Sequence, residues 1–245
     1  MSNVLIIGAT SAIAVAFARA IAERGGALHL IARDEEELER LAADLGVRYG
    51  VPAGWTQLAA RDISRYEGAF AEAARALGTI DGVCFALGML GDQAASHRDA
   101  EAAAEIAETN YVSAVRMLTI AANYLEQQAK GFMVVVSSVA GERGRPSNYV
   151  YGSAKGALSL FAQGLRARLS KRAVHVLTVK PGFVDTKMTF GRPGRFLVAS
   201  PQYVGRAILK ALDARKDIVY VPPFWSLIMM IIRSIPEPLF KRLNL

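Results

Sequence analysis

Short, largely apolar runs rich in β-branched residues recur along this chain, and stretches with helical periodicity fill the intervals between them. The runs are Val4–Ile7, Leu28–Ile31, a stretch near Trp55–Ala59, Gly82–Leu87, Met133–Ser137, His175–Val179 and Ile218–Val221. Helices are expected from Ser11 to Arg24, Asp34 to Leu45, Ser64 to Leu77, Ala100 to Gln128 and Asn148 to Lys171. Another opens at Ser200-Pro201, where serine suits the N-cap and proline the first turn. A strand apolar at alternate and intervening positions alike is buried on both faces, which calls for a parallel sheet with helices on each side. The βαβ order predicts an α/β fold: a single Rossmann-type doubly wound sheet of about seven strands.

Bulk properties fit one such unit. The 245 residues are 52% hydrophobic and 21% charged, which excludes a disordered chain. The domain is expected over residues 1–222, with an apolar tail over 223–245. The single cysteine, Cys84, lies in an apolar run, so it reads as a core residue and no disulfide framework is possible. Together with the absence of a signal-peptide pattern after Met1, this predicts a reducing compartment, the cytoplasm. The net charge of +7 is spread along the chain, so phosphate ligands or an anionic membrane surface are expected ahead of nucleic acid.

Directly after the first run the chain reads Gly8-Ala-Thr-Ser-Ala-Ile-Ala14 and then turns helical. Small residues here let the backbone approach a pyrophosphate, and the helix N-terminus offers free N–H groups. Gly8, Thr10, Ser11, Ala12 and Ile13 are the candidate contacts, although Ala12 and Ala14 stand where the usual fingerprint has glycine. At the tip of the second strand, Arg33 would welcome a 2′-phosphate, and Asp34 would begin the next helix. NADP(H) is therefore expected over NAD(H); the opposite assignment would make Asp34 the ribose ligand. Asp62 and Ile63 are placed beside the adenine, or else simply start a helix.

The catalytic candidates are Tyr151 and Lys155, four residues apart and so on one helix face, with Ser138 at a strand tip and Asn110 in the preceding long helical region. A ketone accepting hydride needs a proton at oxygen, and Tyr151 can supply it. A cation one turn away is expected to lower the phenol pKa. The Ser138 hydroxyl can hydrogen-bond the carbonyl oxygen. Lys155 can reach the nicotinamide ribose, and Asn110 is expected to anchor a water relaying protons to Lys155.

These pieces, with Ser137-Ser138-Val-Ala-Gly141 and Pro181-Gly182, resemble the short-chain dehydrogenase/reductase family over nearly the whole chain. The resemblance implies a catalytic tetrad of Asn110, Ser138, Tyr151 and Lys155. It also implies nicotinamide contacts from Pro181, Gly182, Val184 and Thr186, a substrate loop from Thr189 to Ala199, and a homo-oligomer. The family's Asn-Asn-Ala-Gly stands here as Phe85-Ala-Leu-Gly88, which keeps only Gly88 as a cofactor contact. Several segments, among them Ala86–Gln93, Ala140–Arg145 and Ser147–Gly152, resemble a subgroup that reduces a 2-keto sugar on polyprenyl phosphate for cell-envelope glycan. Another lipophilic ketone or a 3-oxoacyl substrate is the alternative within enzymes, and a non-catalytic NADP(H) sensor the alternative outside them.

The tail run Phe224–Ile232 is about half the length needed to cross a bilayer. It is expected either to lie in the membrane interface, with Trp225 and basic residues at headgroup level, or to pack on the domain or a second subunit. The first option predicts peripheral attachment to the inner face of the cytoplasmic membrane.

Overall fold

The computed structural model describes residues 2–186 and 197–243. In chain order the elements are β1 (Val4–Ile7), α1 (Ala12–Ala22), β2 (Leu28–Ala32), α2 (Glu35–Tyr49), β3 (Ala53–Gln57), α3 (Tyr66–Leu77), β4 (Gly82–Phe85) and the short α4 (Gln93–Ser96). They continue with α5 (Ala100–Ala107), α6 (Ser113–Gln128), β5 (Gly131–Val136), α7 (Tyr149–Leu169), β6 (Val174–Pro181), α8 (Pro201–Asp213), β7 (Ile218–Val221), α9 (Trp225–Ser234) and α10 (Glu237–Phe240).

Among the described residues the strands form one parallel seven-stranded sheet in the order β3-β2-β1-β4-β5-β6-β7. The predicted fold class therefore stands. Alternation along β1 shows why a continuous apolar run is required: Val4 and Ile6 join one core with α1, α2 and α8, while Leu5 and Ile7 join the other with α3, α6 and α7. Strand order reverses at β1, which opens a crevice beyond the carboxyl ends of β1 and β4. Cys84 is 1% exposed inside the first core, as expected.

Element boundaries moved for local reasons. Helix α2 runs past Leu45 to Tyr49: Gly46 weakens a helix but does not stop one, and Arg48 pairs with Asp44 one turn back at 2.7 Å. Gly50, at φ +66°, ends it. Strand β4 stops at Phe85, so Ala86 and Leu87 belong to the loop over the crevice rather than to the strand. The long helical region from Ala100 is interrupted by a π-helical turn at Glu108–Val112, which carries Asn110.

The tail is docked on the domain. Trp225 and Met229 are buried against Val139, with Phe183, Tyr220, Ile228 and Ile232 packed around them. Glu142 anchors the same corner: its Oε1 accepts from Lys180 Nζ at 2.8 Å and from the Tyr220 hydroxyl at 2.6 Å, while Arg233 of α9 lies 3.5 Å from Oε2. Arg143 donates to the Ile235 carbonyl at 3.2 Å, pairs with Glu237 at 2.6 Å and stacks over Phe240. Trp225, at 5% exposure, is thus an interior residue and not a headgroup-level one. Its ring gains apolar contacts there, while its Nε1 is buried without a hydrogen-bond partner.

Candidate active site

One continuous cleft of about 1840 Å³ runs across the carboxyl ends of the strands. The first wall is the β1–α1 turn. Gly8 has φ +78°, and a Cβ there would lie 2.5 Å from the Leu87 nitrogen, so neither the backbone angle nor the space admits another residue. Gly8 and Ala9 donate to the Ile31 carbonyl at 2.8 and 3.0 Å, and Ser11 caps α1 by accepting from Ala14 at 3.2 Å. This leaves Thr10, Ser11, Ala12 and Ile13 lining the cleft at the positive end of α1. Ala14 is fully buried, so the alanine at that fingerprint position packs the core.

At the tip of β2, Arg33 is exposed and lines the cleft. Asp34 also lines it, but its carboxylate is committed to capping α2, accepting from Glu37 at 3.0 Å. Asp62 and Ile63 border the cleft beyond β3. The Asp62 carboxylate accepts from Ala59 at 3.0 Å, so it also shapes its own loop.

Across the crevice, Ser138 leaves β5 in extended backbone and caps a 3-10 turn, its hydroxyl oxygen accepting from Ala140 at 3.1 Å. Tyr151 and Lys155 follow on α7, and all three line the cleft. Lys155 Nζ lies 5.8 Å from the Tyr151 ring centre and donates to the Val136 carbonyl at 3.1 Å. Burial pushes the Lys155 ammonium down to about 8. Burial also pushes the Tyr151 phenol up to about 12, against an opposing hydrogen bond from Ser138. The expected lowering of the phenol by its lysine neighbour is thus corrected: desolvation of the phenolate sets the direction, and the one opposing cause is the Ser138 hydrogen bond.

Asn110 is fully buried and does not line the cleft. Its amide donates to the carbonyls of Met89 at 2.7 Å and Ile106 at 2.8 Å, and its Oδ1 accepts from Met89 at 3.2 Å. One amide hydrogen thus holds the loop after β4 through Met89, and the other is spent on Ile106 of α5. Gly88 passes so close that a Cβ there would sit 2.6 Å from Asn110 Oδ1 and 3.1 Å from Lys155 Nζ. Pro181, Gly182, Val184 and Thr186 line the cleft beyond β6. The expected substrate loop lies outside the described residues except for its end, where Ala199 bridges to Val184.

Arg145 and Trp225 are among the lining residues that the sequence alone does not assign to the site. Trp225 comes from the tail, and a Cβ on Gly182 would fall 1.8 Å from its Nε1. Sequence distance hid this contact. Arg145 was visible as part of a segment, but only the fold shows it to be inside the cleft.

Comparison with known proteins agrees with this architecture. The family profile described as short chain dehydrogenase matches residues 2–193. An uncharacterized oxidoreductase of Streptomyces coelicolor is 36% identical over 242 residues, covering 98% of this chain and 95% of the relative. One of Mycobacterium tuberculosis is also 36% identical, covering 98% and 96%. A short-chain dehydrogenase from Sphingobium yanoikuyae, solved in complex with NADPH, superposes with a TM-score of 0.83 at 26% identity over 97% of both chains. With this profile, these relatives and this sheet order, the chain belongs to the short chain dehydrogenase family of oxidoreductases.

Proposed function

We propose that this protein is an NADPH-dependent ketoreductase in which Tyr151 is the general acid. The observation that carries the reading is the meeting of Ser138, Tyr151 and the buried Lys155 in the cleft that also holds the Gly8 turn. The cradle fits a dinucleotide: the Gly8 turn and the start of α1 line a cleft that extends from Arg33 past Gly8 to Lys155. NADPH would be held by the β1–α1 turn, by Arg33, Asp62 and Ile63 at one end, and by Gly88, Lys155, Pro181, Gly182, Val184 and Thr186 at the other. When bound, it supplies the hydride. The Sphingobium protein was solved with NADPH, which supports this choice.

The chain's own residues then handle the carbonyl oxygen. The phenol keeps its proton at neutral pH, as a donor to a developing alkoxide must. The Ser138 hydroxyl hydrogen-bonds the same oxygen as charge grows on it. Lys155 orients the nicotinamide ribose and places positive charge beside the phenol. Asn110 acts through its grip on Met89, which keeps the loop at Gly88 against Lys155.

Arg33→Ser tests the cofactor choice. Removing charge-assisted hydrogen bonds to a 2′-phosphate weakens NADPH binding by about 10- to 100-fold and barely moves NADH. Equal losses for both cofactors in a fluorescence titration would reject the assignment.

For substrate, the reading is a lipophilic ketone, and at its finest a 2-keto-pentose on polyprenyl phosphate of the decaprenylphosphoryl-2-keto-ribose type. Support comes from the sequence segments noted above and from the tail. Leu227, Met230 and Ile231 fall at helical spacing on the outward face of α9 and are 52–57% exposed, while the inward Trp225 borders the cleft. Arg233, Lys241 and Arg242 follow this face in the sequence. No helix among the described residues is long and apolar enough to cross a membrane. An exposed apolar face beside the cleft, with basic residues close by in the sequence, suits the surface of an anionic bilayer. The whole protein should float with phosphatidylglycerol vesicles, and Leu227→Glu with Ile231→Glu should reduce the bound fraction by about tenfold. If the unaltered protein stays at the bottom of the gradient, the membrane part of the reading is wrong.

A further inference from the structure

The β5–α7 connection places an arginine where a cation has no reason to be unless something else arrives. Arg145 lines the cleft together with Asn148 and Tyr151. Its Nε is buried without a hydrogen-bond partner, and no ion pair reaches its guanidinium among the described residues. Burial alone lowers its pKa, with no carboxylate offsetting the effect. An Nε shut off from water without a partner is costly, and the rest of this part-exposed guanidinium faces the cleft with no carboxylate beside it. Arg33 cannot be its functional duplicate. Arg33 follows β2 and Arg145 follows β5, three strand spacings away, or about 14 Å.

Two neighbouring features point the same way. Asn148 is the N-cap residue of the 21-residue α7, yet its side chain makes no cap hydrogen bond, and its buried Oδ1 is also unpartnered. The turn is closed by the backbone instead, with the Asn148 N–H donating to the Arg145 carbonyl at 3.1 Å. The positive end of α7 and the Arg145 guanidinium therefore converge on the part of the cleft beside Tyr151.

We infer that the α7 end of the cleft is an oxyanion-binding subsite for the substrate. Arg145 holds a phosphate group carried by the ketone, and Asn148 accepts from a neighbouring hydroxyl. This rests on the ketoreductase reading and narrows its substrate class to hydroxyketones bearing phosphate. A guanidinium fork matches phosphate oxygens in a bidentate way, which gives the ketone a fixed distance and angle from Ser138 and Tyr151. A free phosphate monoester and the phosphodiester of a lipid-linked sugar offer the same chemistry.

Matched ketones test the idea with the whole protein and saturating NADPH. One pair is dihydroxyacetone and its phosphate; the other is a methyl 2-keto-pentofuranoside and the corresponding 1-(alkyl phosphate) diester. The unaltered protein should prefer at least one phosphate-bearing member, and Arg145→Met should collapse that kcat/KM ratio by about 10- to 100-fold. Collapse for both pairs supports a subsite open to free monoesters, and collapse for the diester alone supports a lipid-linked headgroup. A ratio that does not move in either pair overturns the inference. Thermal shift supplies a readout that needs no turnover. Methyl phosphate should raise the Tm of the NADPH complex, and Arg145→Met should remove that rise while leaving the unliganded Tm equal or higher, because the unpartnered Nε is gone. A lower unliganded Tm with the methyl phosphate response intact would mean that Arg145 is structural. If neither neutral nor phosphorylated ketones are reduced, the ketoreductase reading fails on its own, and the methyl phosphate response still decides the subsite.

Discussion

Tyr151→Phe is expected to lower kcat/KM for ketone reduction by about 1000-fold, within the range a positioned general acid contributes. The substitution removes one hydroxyl from a ring already packed in the cleft wall, so the fold and the cradle at Gly8 are untouched. NADPH affinity should change by no more than about tenfold, the worth of one neutral hydrogen bond. Steady-state kinetics and a fluorescence titration on the same preparation measure the two effects separately. Turnover at the original rate would remove Tyr151 from the chemistry and favour a nucleotide-sensing protein. Loss of both turnover and NADPH binding would mean that the ring, not the proton, was needed.

Lys155→Met is the second large effect, and it separates function from stability. The Lys155 ammonium is 4% exposed and its pKa falls from an ordinary 10.5 to about 8 on folding. The folded protein holds that proton less tightly than the unfolded chain does, so below about pH 8 the buried charge costs stability throughout. As pH rises from about 8 toward 10.5 the unfolded chain keeps the proton and the folded one has lost it, and the cost disappears. Methionine has similar length and no charge. Even with the bond to the Val136 carbonyl lost, the variant should be more stable at pH 7 by about 2 kcal/mol, a Tm increase of several degrees. That advantage should shrink by pH 10. Tyr151 shifts in the opposite sense: its raised pKa contributes stability fully below pH 10, lost as pH climbs toward about 12, so it leaves the pH 7–10 comparison unaffected. Activity should fall at least 100-fold in the same variant, and in the unaltered protein reduction should decline as pH passes about 8 and the ammonium is lost. A Lys155→Met protein that is less stable at pH 7 than at pH 10, relative to the original, would contradict the burial argument.

The legible part of the site was the part carried by adjacent residues. Gly8 through Ile13 could be read because the turn and the helix start are contiguous, and Tyr151 with Lys155 because four residues make one turn of helix. Ser138 was readable because a strand tip in such a sheet must face the crevice. Asp34 was read as the start of a helix, and its carboxylate is indeed spent on the α2 cap. The unread parts depend on competition between groups far apart in the chain. The π-helical turn at Glu108–Val112 follows from Asn110 bonding across to Met89, which periodicity alone does not register. The phenol and ammonium shifts follow from the water excluded by surrounding elements, and helix spacing predicted the opposite sign for Tyr151.

By itself, the sequence determined the sheet, its parallel sense and the identity of the catalytic candidates, because apolar periodicity and short-range spacing are local properties of the chain. Only the tertiary structure decided how residues 224–243 pack on the domain and where Arg145 stands. Trp225 is buried because Val139, Phe183 and Gly182 happen to meet it, and Glu142 with Arg143 clamps the tail from 90 residues away. Such contacts come from the packing of distant segments, and so does the placement of Arg145 on the cleft wall with its Nε unpartnered.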